Sequence, residues 1–212
     1  VNRVTGIALL LSLAVIGGCS RTVVVPVPPR VDLRGFGTIG VVEFDSNGGP
    51  AVDTRATREF QARIHAAQPG TRLVELGPRA ALLAAAGGRQ FDADTLRRIG
   101  AKHGVDAVFV SEIEYSEPRT NIRIDDIRKI EGGVKTEVRG DAASRLVETR
   151  TGASVWSSTS WATRQIGRLE VSKEQGVSGT IQSADPRELM VPALVFHLTH
   201  DFRPGTVRQK AK

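Results

Sequence analysis

The sequence predicts an α/β fold: a parallel β-α-β-α-β core, continued by an antiparallel β-hairpin and a C-terminal helix. Three observations predict it. β-Branched runs at 38–44, 72–76 and 105–110 alternate with segments of helical period, the spacing of right-handed crossovers in a parallel sheet. From 134 to 149 the period changes to two, with one charged face, as in a half-exposed antiparallel strand. Asp185-Pro186-Arg187-Glu188 then sets a capping acid, a first-turn proline and a third-position glutamate in a row, a complete helix start.

The first strand, 38–44, is apolar enough to be buried. The loop after it, 45–50, is glycine-rich but has neither the Gly-x-Gly-x-x-Gly spacing nor a Lys-Ser/Thr ending, so phosphate binding is not indicated. Asp53 or Thr54 is placed to cap a helix to about Gln68, with Ala56, Phe60, Ile64 and Ala67 as its buried stripe and Arg55, Arg58 and Arg63 off it. Residues 72–76 read as a second strand and 78–86 as a short helix. Asp92 caps the next helix with Thr95 at its third position, and Phe91 and Leu96 have the spacing of a hydrophobic staple. Gly104 is its left-handed stop, and His103 sits in the last turn, where a cation suits the dipole. The third strand, 105–110, is apolar on both faces and becomes one-sided toward Glu112 and Glu114.

In the alternating segment Val134, Val138 and Leu146 share one side, while Lys135, Glu137, Arg139 and Arg145 share the other. Thr151-Gly152-Ala153 turns it into a second strand. Trp156 and Trp161 are five apart and so face opposite sides, one toward the core and one toward an interface. The polar segments 117–133 and 166–184 are expected as loops or strand extensions. Val191, Leu194, Val195, Leu198 and Phe202 form the core face of the last helix, with a kink or break expected at Pro192. The basic segment 205–212 is expected as an irregular tail.

Ahead of the domain lies an apolar run, 7–16, preceded by Arg3 and followed by Gly17, Gly18 and Cys19. A basic head, a short apolar segment and small residues before a cut are the parts of a secretory signal. The run is shorter than the ~20 residues of a spanning helix. A branched apolar residue, two glycines and a cysteine match the lipobox of bacterial lipoproteins. The glycines let the backbone enter a protease site, and Cys19 supplies the nucleophilic sulfur for lipid transfer. The expected organisation is a signal peptide over 1–18 cut between Gly18 and Cys19, an extended Pro-rich tether over 19–35 that begins at an acylated Cys19, one α/β domain over 36–204, and the tail. Val1 in place of Met is the expectation for a GTG start codon. Ser20, rather than Asp, after the cysteine points to the outer membrane, facing the periplasm.

Composition narrows the function. Cys19 is the only cysteine, which rules out a disulfide framework and a cysteine-based metal site. The net charge of +6 is read as scattered along the chain, and export makes nucleic acid an improbable partner. No Gly-x-Ser-x-Gly motif occurs. His197-x-x-His200 with Asp201 is the one metal-like cluster, but no glutamate completes a hydrolase motif, and Asp125-Asp126 reads as solvated. No cofactor and no catalytic residue are expected.

Three passages resemble a known family, the bacterial envelope lipoproteins related to CsgG and LpoB. They are the strand Ile39-Gly40-Val41-Val42-Glu43-Phe44, the helix-to-strand passage 99–110 through Gly104-Val105-Asp106, and the hairpin 145–157 with Thr151-Gly152 followed by Trp156. The resemblance implies an α/β fold like the anticodon-binding domain and a non-enzymatic assembly role in the envelope. The expected partners are the membrane, through acylated Cys19, and an envelope protein or a second copy of the chain. The family's channel branch adds membrane-spanning hairpins, and the charge in 117–133 and 166–184 argues against them here. The alternatives are a ring-forming subunit of an outer-membrane secretion or surface-organelle complex and a metal-dependent enzyme using His197 and His200.

Overall fold

The computed structural model describes residues 22–126, 131–172, 176–181 and 185–210. The strands are β1 (Thr22–Val27), β2 (Thr38–Val42), β3 (Asp45–Ser46), β4 (Arg72–Gly77), β5 (Ala107–Tyr115), β6 (Arg119–Asp126), β7 (Glu131–Glu148), β8 (Ser154–Ser172), β9 (Gly176–Ile181) and β10 (Gly205–Lys210). The helices are α1 (Pro50–Ala67), α2 (Arg79–Ala85), α3 (Ala93–His103) and α4 (Pro186–Leu198), with 3₁₀ turns at Leu33–Gly35 and His200–Phe202. The chain divides into a unit Pro29–Arg203 and a unit of the two chain ends, up to Pro28 and from Pro204.

The larger unit is a mixed α/β fold on a sheet of order β4-β2-β5-β7-β8-β9, with β3 beside β5 and β6 beside β7. β2 pairs in parallel with β4 and β5, and β5, β7, β8 and β9 pair antiparallel in turn. β5 shows why the sheet has two cores. Phe109 and Ile113 point toward α1 and α4, where Phe60, Ile64, Leu194 and Leu198 cover them. Val108 and Val110 point the other way and are covered by Leu82, Leu83, Leu96 and Ile99 of α2 and α3. The change to Glu112 and Glu114 marks the point where α2 and α3 no longer cover that second face.

Local chemistry fixes the helices. Asp92 accepts from the Thr95 amide at 2.8 Å, and Phe91 and Leu96 are both buried in the second core. Gly104 closes α3 at φ 64°, a left-handed angle that costs a glycine little. α1 differs from expectation. It starts at Pro50, whose fixed φ suits a first helical position, after Gly49 at φ 90°. Asp53 and Thr54 therefore lie inside the helix, where Asp53 accepts from Ser46 Oγ and Thr54 donates to Glu43 at 2.8 Å. α4 runs unbroken through Pro192, with Val191, Leu194, Val195 and Leu198 fully buried.

Of the two readings of the polar segments, loops or strand extensions, the second holds for most of their described residues, which form β6, β9 and the outer parts of β7 and β8 because each finds a ladder partner. Two further expectations are corrected. Residues 205–210 are not irregular but form β10, which pairs antiparallel with β1 in the tether segment. Leu33 is fully buried, held by buried Gln68, whose amide accepts from Leu33 N at 2.7 Å and donates to Val31 O at 2.6 Å and Phe202 O at 3.1 Å. The compact unit therefore begins before residue 36.

Gly100 lies against the β7–β8 turn. A Cβ there would meet Thr149 Cβ and Oγ1 at 2.6 Å and the Val105 carbonyl at 3.1 Å. Thr149 cannot retreat, because its hydroxyl donates to Val105 O at 2.8 Å. Gly100→Ala is expected to lower stability by about 1–3 kcal/mol through overpacking, read from the midpoint of urea unfolding. A midpoint equal to that of the natural protein would show that this contact relaxes freely.

Candidate functional site

Past Val110 the second face of the sheet is open. The register sets Glu112, Ala143 and Thr159 in one rung and Glu114, Asp141 and Trp161 in the next, with Arg139 on the far side. Asp45, Ser46 and Asn47 form the wall of this groove, which encloses about 760 Å³. Asn47 holds the wall to the sheet: its Nδ2 donates to Tyr115 O and its Oδ1 accepts from Tyr115 N, both at 2.8 Å. These two bonds extend the short β3–β5 pairing by one residue.

Two arginines partner three of the four carboxylates that line the groove, those of Asp45, Glu112 and Asp141. Arg139 grips Asp141 through Nε at 2.8 Å and Nη2 at 2.6 Å, and these bonds hold the Asp141 carboxyl below its usual range. The same guanidinium lies 5.2 Å from the Trp161 ring centroid, within cation–π range. Arg79 reaches Glu112 at 3.7 Å and Asp45 at 3.9 Å across the mouth. Behind the wall, burial pushes the Asp53 carboxyl up, against the hydrogen bond from Ser46 that lowers it, and the charges of Asp45 and Glu43 add to the rise.

Trp161 is 61% exposed, whereas Trp156 on the opposite face is 7% exposed and donates Nε1 to Asp201 at 3.1 Å. The five-residue spacing thus divides the pair as the sequence predicts. An indole left in water beside an arginine, on a floor of small Ala and Thr side chains, has the composition of an interface centre. His197 and His200 are exposed, and the Asp201 carboxylate beside His200 is already engaged by Trp156 and by Arg30 at 3.7 Å. Among the described residues no three His, Cys, Asp or Glu side chains converge on a metal-sized site. Gly18 and Cys19 lie outside the described residues, as do the side chains of Asp125 and Asp126.

A second feature escaped the sequence reading. β6, β7, β8 and β9 form a four-stranded ribbon whose rungs alternate. Thr120, Thr136, Gly167 and Ile181 make one rung; Asn121, Lys135, Arg168 and Thr180 the next; Ile122, Val134, Leu169 and Gly179 the third. Arg123, Gly133, Glu170 and Ser178 follow, then Ile124, Gly132, Val171 and Val177. Charged rungs therefore alternate with uncharged ones, and Ile122 and Leu169 stand 73% and 42% exposed. Judged by the average composition of each segment, this order disappears; it was legible in the period-two runs Asn121-Ile122-Arg123-Ile124 and Leu169-Glu170-Val171.

No protein-family model matches the chain, and no curated protein does. Solved structures do. The LpoB C-terminal domain from Salmonella enterica is 16% identical, with 59% of this chain and 81% of that one covered and a TM-score of 0.35. Lipoprotein GNA1162 from Neisseria meningitidis is 18% identical over 76% of this chain and 96% of that one, with a TM-score of 0.39. The PelC dodecamer from Paraburkholderia phytofirmans is 13% identical over 86% and 98%, with a TM-score of 0.43.

The raised Asp53 value has a consequence for stability. An acid whose folded value lies above its ordinary one favours the fold while protonated, and that contribution is lost as pH rises through the folded value. Asp53→Asn keeps an acceptor for Ser46 and removes the charge. From about pH 4 upward, the natural protein is expected to lose urea resistance relative to this variant. A variant less stable at neutral pH would instead show that the favourable first-turn position of Asp53 in α1 outweighs its burial.

Proposed function

We propose that this chain is a lipid-anchored protein of the bacterial envelope that binds a protein partner through the open groove around Trp161, without enzymatic activity. In this reading residues 1–18 are removed as a signal peptide, Cys19 is acylated, and the Pro29–Arg203 unit works in the periplasm from the inner leaflet of the outer membrane. Its fold is of the anticodon-binding-domain type. The observation that carries the binding role is Trp161, 61% exposed on a sheet face that α2 and α3 leave bare. The largely paired charges of the groove would discriminate among partners more than attract them.

A photo-crosslinking amino acid in place of Trp161, in cells, tests the reading. One discrete adduct in the envelope fraction is expected, absent when the same group replaces Lys102 on the exposed side of α3. Trp161→Ala is expected to change stability by less than about 0.5 kcal/mol, as an exposed substitution should, while abolishing competition for the partner. No adduct at position 161 would remove the groove from consideration.

The ribbon favours a second reading, a ring-forming subunit of an outer-membrane complex, because its register sorts the charges away from Ile122 and Leu169. Five complete rungs span about 17 Å, short of the ~25 Å apolar band of outer-membrane barrels, and this keeps the reading second. Under it, the mass of the acylated chain in detergent is that of a ring, and Leu169→Asp returns it to a monomer. A monomer for the natural chain would eliminate the ring.

A further inference from the structure

The sheet has two edges, and they differ. β4 closes one with 6 residues that include Arg72 and Glu75 and end at Gly77, at φ 81°. Charge, shortness and a break in the extended backbone are ways in which natural sheets keep an outer strand from pairing with another chain. β8 forms the other edge along its first half, because β9 pairs only with Gly167–Ser172 and no described strand lies beyond Ser154–Thr163. That stretch, Ser154-Val155-Trp156-Ser157-Ser158-Thr159-Ser160-Trp161-Ala162-Thr163, has no charge, no proline and no glycine. Nothing in its sequence blunts the edge.

The ladder fixes which backbone groups are left over. Ser116 N donates to Arg139 O at 2.8 Å and Thr149 N to Asp106 O at 2.9 Å, so along β7 the odd-numbered residues bond toward β5. Successive residues of a strand bond to opposite sides, so the even-numbered residues of β7 bond toward β8. Their partners are Ala162 for Gly140, Ser160 for Ala142 and Ser158 for Ser144, the even-numbered residues of β8. Ser157, Thr159, Trp161 and Thr163 therefore turn their N–H and C=O groups outward, where no described residue meets them. They span about 20 Å of strand. By the same alternation their side chains share the open face of the sheet, and Thr159 and Trp161 line the groove. One edge thus offers a row of backbone bonds and, beside it, an exposed indole.

We propose that β8 accepts an extended segment of a partner protein as an added strand along Ser157–Thr163. This deepens the groove reading and rests on it: the partner at Trp161 is held by strand addition, its backbone on the edge and one of its side chains against the indole. In such complexes main-chain bonds supply the affinity and alternate side chains the selectivity. The segment carries no proline where it bonds, and it sets a β-branched or aromatic side chain beside Trp161, a cross-strand pair that stabilises sheets. The occupant is a segment rather than a second copy because Ser157–Thr163 has the length of an ordinary strand, whereas a stable dimer buries about 1,200 Å² or more and the bonding edge consists of these residues alone.

The test uses the full chain in bacterial cells, with a diazirine amino acid placed in turn at Ser157, Thr159 and Thr163, so that Trp161 stays intact. Adducts are mapped by peptide mass spectrometry. The three positions are expected to label one partner segment in linear order, with the adducts from 157 and 163 about six residues apart. Ser157→Pro removes an outward N–H and leaves the β7 ladder whole, a placement that edge strands tolerate. With the probe at position 163 it is expected to cut the adduct yield about tenfold at an unchanged urea midpoint. Should Ser157→Pro fail to fold, the linear order alone decides. An adduct from position 161 with none from these three overturns strand addition and leaves the groove reading standing. So do adducts scattered over separate segments, or full yield from folded Ser157→Pro. An adduct with the mass of two copies of this chain makes the occupant a second copy and overturns the proposal. No adduct from any of the positions overturns both readings.

Discussion

Phe109 is the point through which the distant parts of the chain are joined. Its ring meets Phe60 of α1 at 5.0 Å, Trp156 of β8 at 5.9 Å and Phe202 of the last turn at 5.7 Å, each edge to face. Large aromatic rings bring most of the buried area in a small core, and edge-to-face contacts add direction to it. One side chain in the central strand thus fixes α1, the hairpin and the end of α4 on one face of the sheet. Because Phe109 commits that face to α1 and α4, Val108 and Val110 must find cover on the other, and α2 and α3 supply it.

Cover then runs out for a reason of length. β7 has 18 residues, about 60 Å of strand, while α4 has 13 and spans about 20 Å. α3, with 11 residues, is shorter still. Helices that rise 1.5 Å per residue cannot sheathe strands that rise more than twice as much. The groove around Trp161 on one face and the uncovered row of Ile122, Val134 and Leu169 beyond α4 are both products of this mismatch. Surface left bare in this way is where a partner can be bound without reshaping the core.

The core was legible because each of its signals is local. Alternation gave the buried side of β7, the Asp92 cap and Gly104 stop gave α3, and the spacing of Trp156 and Trp161 placed them on opposite faces. What was not legible depended on partners far along the chain. Gln68 looks like a helix end until Leu33, Val31 and Phe202 are seen to converge on it. Asp53 looks like a cap until Pro50 starts the helix three residues earlier. The groove is in the same class: no run of residues announces that Asp45, Glu112, Asp141 and Trp161 share a wall and floor, since only the register of β3, β5, β7 and β8 brings them together.

Charge shows the same limit from another side. A net +6 says nothing about where a field exists, because fields are set by position and screened over about 8 Å at physiological salt. In the ribbon, Arg168 and Glu170 pair along one strand two residues apart, so a segment rich in charge presents little net field. The pairing of β1 with β10 likewise sets Arg208 opposite Val24, a neighbourhood that only register, not composition, defines.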